Sequence, residues 1–296
     1  MWRKQRWMTA LLFLTPAMTI YAVFFAYPAI RGLYVSLFDW SGFVPKMKFI
    51  GLGNFIELAQ DAIFWKSLGN TMFFVVVGGV LTISVALVFA ALLSRTDLRG
   101  RKLLRAVIFF PVAVPTVGLG IIGAFFFDPS GILNGVLGSL HLASLPRSWL
   151  GPQLAIYSTL ASIIWSTVGF SMVVLIAGIE KVPSTYAEAA RVEGAGEWQI
   201  FFRVTVPMIW DVFVTVAVFW IIGALKMFEL IYTLTLGGPN WATSTISIFT
   251  YVEAFGQRET IYRMGYGTAA GVVLLVLVIL GAGLTMVLLR REPIEY

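Results

Sequence analysis

The sequence predicts an all-α integral membrane protein of six transmembrane helices, with both termini in the cytoplasm. Three observations predict it. Of the 296 residues, 59% are hydrophobic and only 12% charged, with a mean hydropathy of +0.88, outside the range of soluble globular domains. Apolar runs long enough to cross a hydrocarbon core of about 30 Å recur along the whole length. The basic residues alternate between the ends of those runs, as cytoplasmic and outer loops do.

The runs are Thr9 to Ile30, Asn70 to Leu93, Ala106 to Phe127, Leu154 to Ala177, Met208 to Thr233 and Met264 to Leu289. Each is longer than a barrel strand of about 9–11 residues, and none alternates with period two, so helices are the spanning structure. With the N-terminus inside, the cytoplasmic set is Arg3, Lys4, Arg6, Arg95, Arg99, Arg101, Lys102, Arg105, Lys181, Arg191, Arg203, Arg290 and Arg291. The smaller outer set is Arg31, Lys46, Lys48, Lys66, Arg147, Lys226, Arg258 and Arg263. The net charge of +6 therefore reflects topology. With no basic domain to carry a binding surface, no nucleic-acid partner is expected.

The first run follows MWRKQRW, the layout of a secretory signal. It continues past a signal's length with no small-x-small cleavage site before Tyr27-Pro28, and reads as a retained helix. The second and third runs flank the basic inner loop. The fourth leads into a polar stretch, residues 183–207, set between two apolar runs. Glu188 to Glu193 is a good helix former, and Ser184 after Pro183 offers its start. Gly194 and Gly196 permit positive φ, which predicts a short helix, a sharp turn and a second helix running into the membrane. On that second piece Trp198, Phe201, Phe202 and Val206 recur at helical spacing against Glu197, Gln199 and Arg203. Such a face suits either an interfacial helix or a docking element for a cytoplasmic partner. The small side chains of Ala189, Ala190 and Ala195 beside Glu188 tip the balance towards docking.

The fifth run carries the few ionisable residues found inside spans, where charge is expensive. Asp211 falls in its first turn, and Lys226 and Glu229 lie three residues apart in its outer third, at a spacing that lets them face one another. They fit a pair at the headgroup level, and they also fit the lining of a solute path.

The chemistry of a membrane enzyme is missing. His141 is the only histidine, no cysteine is present, and no Gly-Lys dipeptide occurs, so two-histidine metal sites, thiolate sites, disulfides and the Gly-rich nucleotide loop are excluded. A catalytic triad would have to be built on His141 alone. No catalytic residue, metal or cofactor is expected on this chain. Neither a midplane carboxylate nor an internal repeat marks an ion-driven carrier, which remains the competing reading.

Glu188-Ala189-Ala190, Gly194 after three residues and Val204-Thr205-Val206-Pro207 after nine more resemble the EAA loop of the permease subunits of binding-protein-dependent ABC importers. Val204 and Val206 replace the family's Ile and Leu, and Asp211 stands where many members carry a second proline. Further stretches are similar to the first of the two permeases of the carbohydrate branch, the maltose and glycerol-3-phosphate type. They are Phe24 to Trp40, Phe49 to Phe55, Ser94 to Pro115, Asp128 to Asn134, Trp165 to Pro183 and Phe228 to Phe255 with its Gly237-Gly238-Pro239. The resemblance covers nearly the whole chain.

It implies a type I ABC importer permease in a bacterial plasma (inner) membrane, translocating a sugar or oligosaccharide, with glycerol 3-phosphate as the alternative. Its partners would be a second, different permease, two copies of a cytoplasmic ATPase that holds ATP and Mg, and an extracytoplasmic solute-binding protein. Glu188, Ala189, Ala190, Gly194 and Pro207 would belong to the element seated on the ATPase. The solute path would involve Trp165, Gly169, Phe170, Trp220, Ala224 and Met227, with Lys226 and Glu229 as polar partners, although each aromatic also fits ordinary bundle packing.

Overall fold

A computed structural model of the chain describes residues 2–95, 98–142, 148–256 and 262–289, with side chains from Leu11 onward. Arg147, Arg258, Arg290 and Arg291, and the side chains of Arg3, Lys4 and Arg6, lie outside the described residues. The chain divides into two compact units, Met1–Asp61 with Phe249–Val273, and Ala62–Ile248 with Leu274–Tyr296.

The first unit opens on α1, a continuous helix made of Trp2–Tyr21, a π-helical segment Ala22–Ala26 and Tyr27–Val35. It outlasts the predicted end at Ile30 by five residues, because Arg31, which ends the apolar run, does not end the helix. A two-residue antiparallel ladder follows, Phe38–Asp39 on Lys48–Phe49, which the all-helical expectation missed. Asn54, buried at the start of helix Gly53–Gln60, donates to the carbonyls of Ser36 and Phe38 at 2.8 and 3.0 Å and so anchors the ladder. Arg263 holds Glu57 through two bonds of 2.6 and 2.7 Å and lies 4.1 Å over the Tyr266 ring, whose hydroxyl donates to Asp61 at 2.9 Å.

The second unit holds the helices from Ala62 to Thr235 and the end of the last helix. Here α2 is Ala62–Leu93, 32 residues with a π-helical segment at Phe74–Gly78. The prediction started it at Asn70 because Lys66 interrupts the apolar run, yet Lys66 stays on the helix and donates its ammonium to the Asn240 carbonyl. The third run is not one straight helix. Arg101–Ala113 (α3) and Thr116–Phe126 (α4) meet at 99°. The cause is Pro115, which lacks an N–H and drives Val114 into extended backbone, φ −88° and ψ 135°.

The fourth run is α5, Ala155–Ile179. It leads through Ser184–Val192 (α6) to α7, Glu197–Met208, which bends by 76° at Ile209 into α8, Trp210–Leu225. The fifth run therefore ends eight residues before the predicted Thr233. Lys226 caps α8, and a new helix, α9, Glu229–Thr235, begins beyond the break. Ile246–Ala254 (α10) and Met264–Leu288 (α11) complete the chain.

Among the described residues, four helices are long and apolar enough to cross a membrane, or up to six if each bent pair is one span. This is a multi-pass membrane protein. In lipid, helices associate by close packing of small residues, and α2, α3, α5 and α8 do so. Ala86, Ala90, Met172 and Leu175 are fully buried between α2 and α5. A Cβ at Gly169 of α5 would lie 2.5 Å from the Ile108 carbonyl oxygen on α3, so only glycine permits that crossing. At the same end Arg105 donates to the Leu93 carbonyl at 2.7 Å and pairs with Glu180 at 2.9 Å, tying three helix ends together.

Candidate functional site: an elbow and a pocket

The elbow is built by local rules. Its first helix starts at Ser184 with Pro183 as the cap residue, so Ser184 is the first helical residue and makes no capping bond. It ends on Gly194, at φ +86°, whose N–H reaches the Arg191 carbonyl at 3.0 Å while the Ala195 N–H reaches Ala190, also at 3.0 Å. Those two bonds are the Schellman stop, which needs a left-handed residue at that position. Gly196 is different. Its φ of −73° is ordinary, and it caps α7 with its N–H donated to the Gln199 side chain at 3.0 Å.

Across the turn, Arg191 donates to Glu197 at 2.9 and 3.4 Å. That bond and the Glu197 charge hold the Arg191 guanidinium above its usual range, keeping it charged. Glu188 and Ala189 are exposed, Ala190 is half-buried, and Val192 is 89% exposed at the tip. On α7 the amphipathic face divides. Ile200 and Phe201 are buried, while Trp198 and Phe202 stack at 6.1 Å on the exposed side, and Pro207 is half-buried near the bend. Asp211 stands in the first turn of α8, where a carboxylate favours the helix dipole.

The pocket is assembled from three helices and the breaks between them. About 270 Å³ in volume, it is walled by Phe170 from α5, Trp220, Ala224 and Met227 from α8 and its end, and Val114 and Thr116 from the bend between α3 and α4. Trp220 is 8% exposed, and its indole N–H donates at 2.8 Å to the Val75 carbonyl inside the π-helical segment of α2. Gly78 and Gly79 make room for that ring, which a Cβ at Gly79 would approach to 2.5 Å. Phe170 packs edge-on against Phe219 at 6.1 Å.

Of the residues predicted for the path, Phe170, Trp220, Ala224 and Met227 come together here. Trp165 does not. It borders a separate apolar pocket of about 440 Å³ with Leu119, Phe126 and Phe127. Gly169 faces the α3 backbone. Lys226 and Glu229 make no ion pair with each other, because the helix ends between them and the i, i+3 spacing no longer sets them side by side. Instead the Thr116 hydroxyl donates to the Glu229 carboxylate. Sequence reasoning missed Thr116, Ser166, Thr167, Ser171 and Gly223, all of which line the pocket. The available signal was a run of hydroxyl residues inside an apolar span.

The family model for the inner-membrane component of binding-protein-dependent transport systems matches residues 85–292, which include the elbow and the pocket. The chain belongs to this family. The probable ABC transporter permease YurN of Bacillus subtilis is 35% identical over 269 residues, covering 90% of each chain. The trehalose/maltose transport system permease MalF of Thermococcus litoralis is 31% identical over 270 residues, covering 90% of this chain and 89% of its own. The sulfoquinovosyl glycerol transport permease SmoG of Agrobacterium fabrum is 31% identical over 274 residues, covering 90% and 86%. A bacterial alginate ABC transporter, crystallised with its alginate-bound periplasmic protein, has a chain of the same fold, at TM-score 0.79 over 97% of both chains and 22% identity. The chain is thus an ABC transporter permease subunit, and both the elbow and the pocket lie within the stretch that the family model matches.

Proposed function

We propose that this permease translocates a sugar or oligosaccharide delivered by an extracytoplasmic binding protein, driven by ATP hydrolysed on separate cytoplasmic subunits. The observation that carries the reading is the elbow, an exposed Glu188-Ala189 face ending in a Schellman turn at Gly194 and running into the membrane, within the family match. The six apolar runs are taken as six spans, each bent helix pair with its neighbours forming one, with both termini on the cytoplasmic side of a bacterial inner membrane. The side richer in Lys and Arg is then the side of the elbow.

Glu188 pairs with a basic residue of the ATPase, Ala189 and Ala190 allow close approach, Gly194 sets the turn, and Pro207 closes the element where it meets the membrane. ATP binds the outward-open state of the assembly better than the inward-open one, and the elbow transmits that difference. ATP and Mg stay on the ATPase pair, a second and different permease supplies the other wall of the path, and this chain holds no cofactor. An anionic glycoside or glycerol phosphate is the second reading of the solute, favoured by the SmoG relative and by the exposed Lys226.

Affinity purification of this chain from its own cells is expected to bring down a second permease and an ATPase, and uptake by the reconstituted complex is expected to require ATP and the binding protein. Solute uptake by this chain alone, on an ion gradient and without ATP, would overturn the proposal.

A further inference from the structure

The pocket wall is richer in hydrogen-bond acceptors than in donors. Among the described residues no charged side chain lines it, and its side-chain oxygens are the hydroxyls of Thr116, Ser166, Thr167 and Ser171. The Ser166 and Thr167 hydroxyls both give their protons to the Ile163 carbonyl on their own helix, at 2.9 and 2.7 Å. The third hydroxyl, on Thr116, gives its proton to Glu229, whose carboxylate is exposed beside the break that follows α8. A hydroxyl whose proton is spent elsewhere offers only lone pairs to a guest. Three of the four lining hydroxyls are so committed, the fourth being Ser171, and with a carboxylate one hydrogen bond behind the wall they make a surface that favours donors and repels anions.

Resting on the reading of this pocket as the solute path, we propose that Thr116 and Glu229 are its specificity pair, admitting uncharged, hydroxyl-rich solutes and turning away anionic ones. The solute's own O–H groups supply the protons that Thr116, Ser166 and Thr167 have given elsewhere, while its apolar faces meet Phe170 and Trp220. A carboxylate or phosphate brings no proton and adds like charge. Lys226 could soften that field. It caps α8 on the other side of the break and forms no ion pair with Glu229, so its contribution is separable by substitution.

The chain has no cysteine, which allows a direct measurement. Gly223 lines the pocket, and a Cβ placed on it meets nothing within 4 Å, so Gly223→Cys puts a single thiol there. In the purified complex with the second permease and the ATPase, the thiol is exposed to three methanethiosulfonate reagents, trimethylammonium-ethyl, sulfonato-ethyl and uncharged methyl. Modification of this chain is followed by mass. The cationic-to-anionic rate ratio is expected to exceed that of free cysteine by about tenfold, the scale of field focusing in clefts. Glu229→Gln should return it to the free-cysteine value, while Lys226→Gln should raise it or leave it unchanged. Thr116→Val should lower it and Thr116→Ser preserve it, a comparison that decides the matter if the Glu229→Gln complex does not assemble.

An unchanged ratio in Glu229→Gln, faster anionic than cationic labelling, or a thiol closed to all three reagents overturns the proposal. The assay contains neither solute nor binding protein, so its failure is distinct from a failure of ATP-driven uptake.

Discussion

The elbow and the pocket differ in how far along the chain their determinants reach. The elbow is complete within residues 183–207, where a turn glycine, a cap and an ion pair six residues apart set every angle. The pocket draws on residues from Pro111 to Met227 and exists only because two apolar runs are broken and α3, α4, α5 and α8 pack at one place. A short-range structure tolerates change in its neighbours, whereas a long-range one fails when any of its supports is moved. Substitutions sharpen or break that contrast.

The largest effect is expected from Gly169→Leu, which touches neither the pocket lining nor the elbow. The added side chain must enter the α3 backbone, and overpacking of this kind costs about 1–3 kcal/mol or more. The permease should lose yield and thermal stability in detergent; wild-type stability would show that α3 and α5 do not cross as described. Next comes Glu188→Lys, or Gly194→Asp, on the elbow. Both should leave the chain inserted at normal levels but reduce coupled uptake by about tenfold, within the usual range of coupling energies. Undiminished uptake in both would remove the coupling role.

Gly194→Ala is milder and tests geometry alone. Its Cβ meets nothing within 4 Å, so the cost is the left-handed backbone, about 1 kcal/mol. Transport should fall a few-fold with no change in yield, and Gly196→Ala, at an ordinary φ, should do less; the reverse order would contradict the Schellman stop. The smallest effect belongs to Arg191→Ala or Glu197→Ala. Exposed pairs contribute little because solvent screens them, so each should lower coupling slightly and the double charge swap should restore it. A double swap no better than its single changes would mean that the pair does not brace the turn.

The same contrast decided what could be read from the sequence. The elbow was legible because its signals are contiguous, although Gly194 and Gly196 looked alike there and only the first needs positive φ. The apolar runs were legible as well, since hydropathy is a local sum. Their breaks were less so. Pro115 announces one in hindsight, but Leu225-Lys226-Met227-Phe228 contains neither glycine nor proline, and the carbonyls freed there at Leu225 and Met227 are taken by the hydroxyls of Ser247 and Thr245, 22 and 18 positions on. Gly169 was named for the path only because the resemblance puts the solute on the fourth run, and in the structure it permits backbone contact with α3. The Thr116 to Glu229 bond, spanning 113 positions, was out of reach of any window.

The Trp220 indole has one more consequence. Its N–H is given to a carbonyl in the widened turn of α2, so α2 and α8 are locked in register at the pocket wall. Sliding one helix along the other by a single residue would leave the indole donor without a partner in a medium that offers no water, while the carbonyl keeps its bond from the Gly79 N–H. A movement of this wall at the lowest cost therefore turns the two helices as one body, about the places where the backbone has already left the helix, Ile209 at one end of α8 and residues 226–228 at the other.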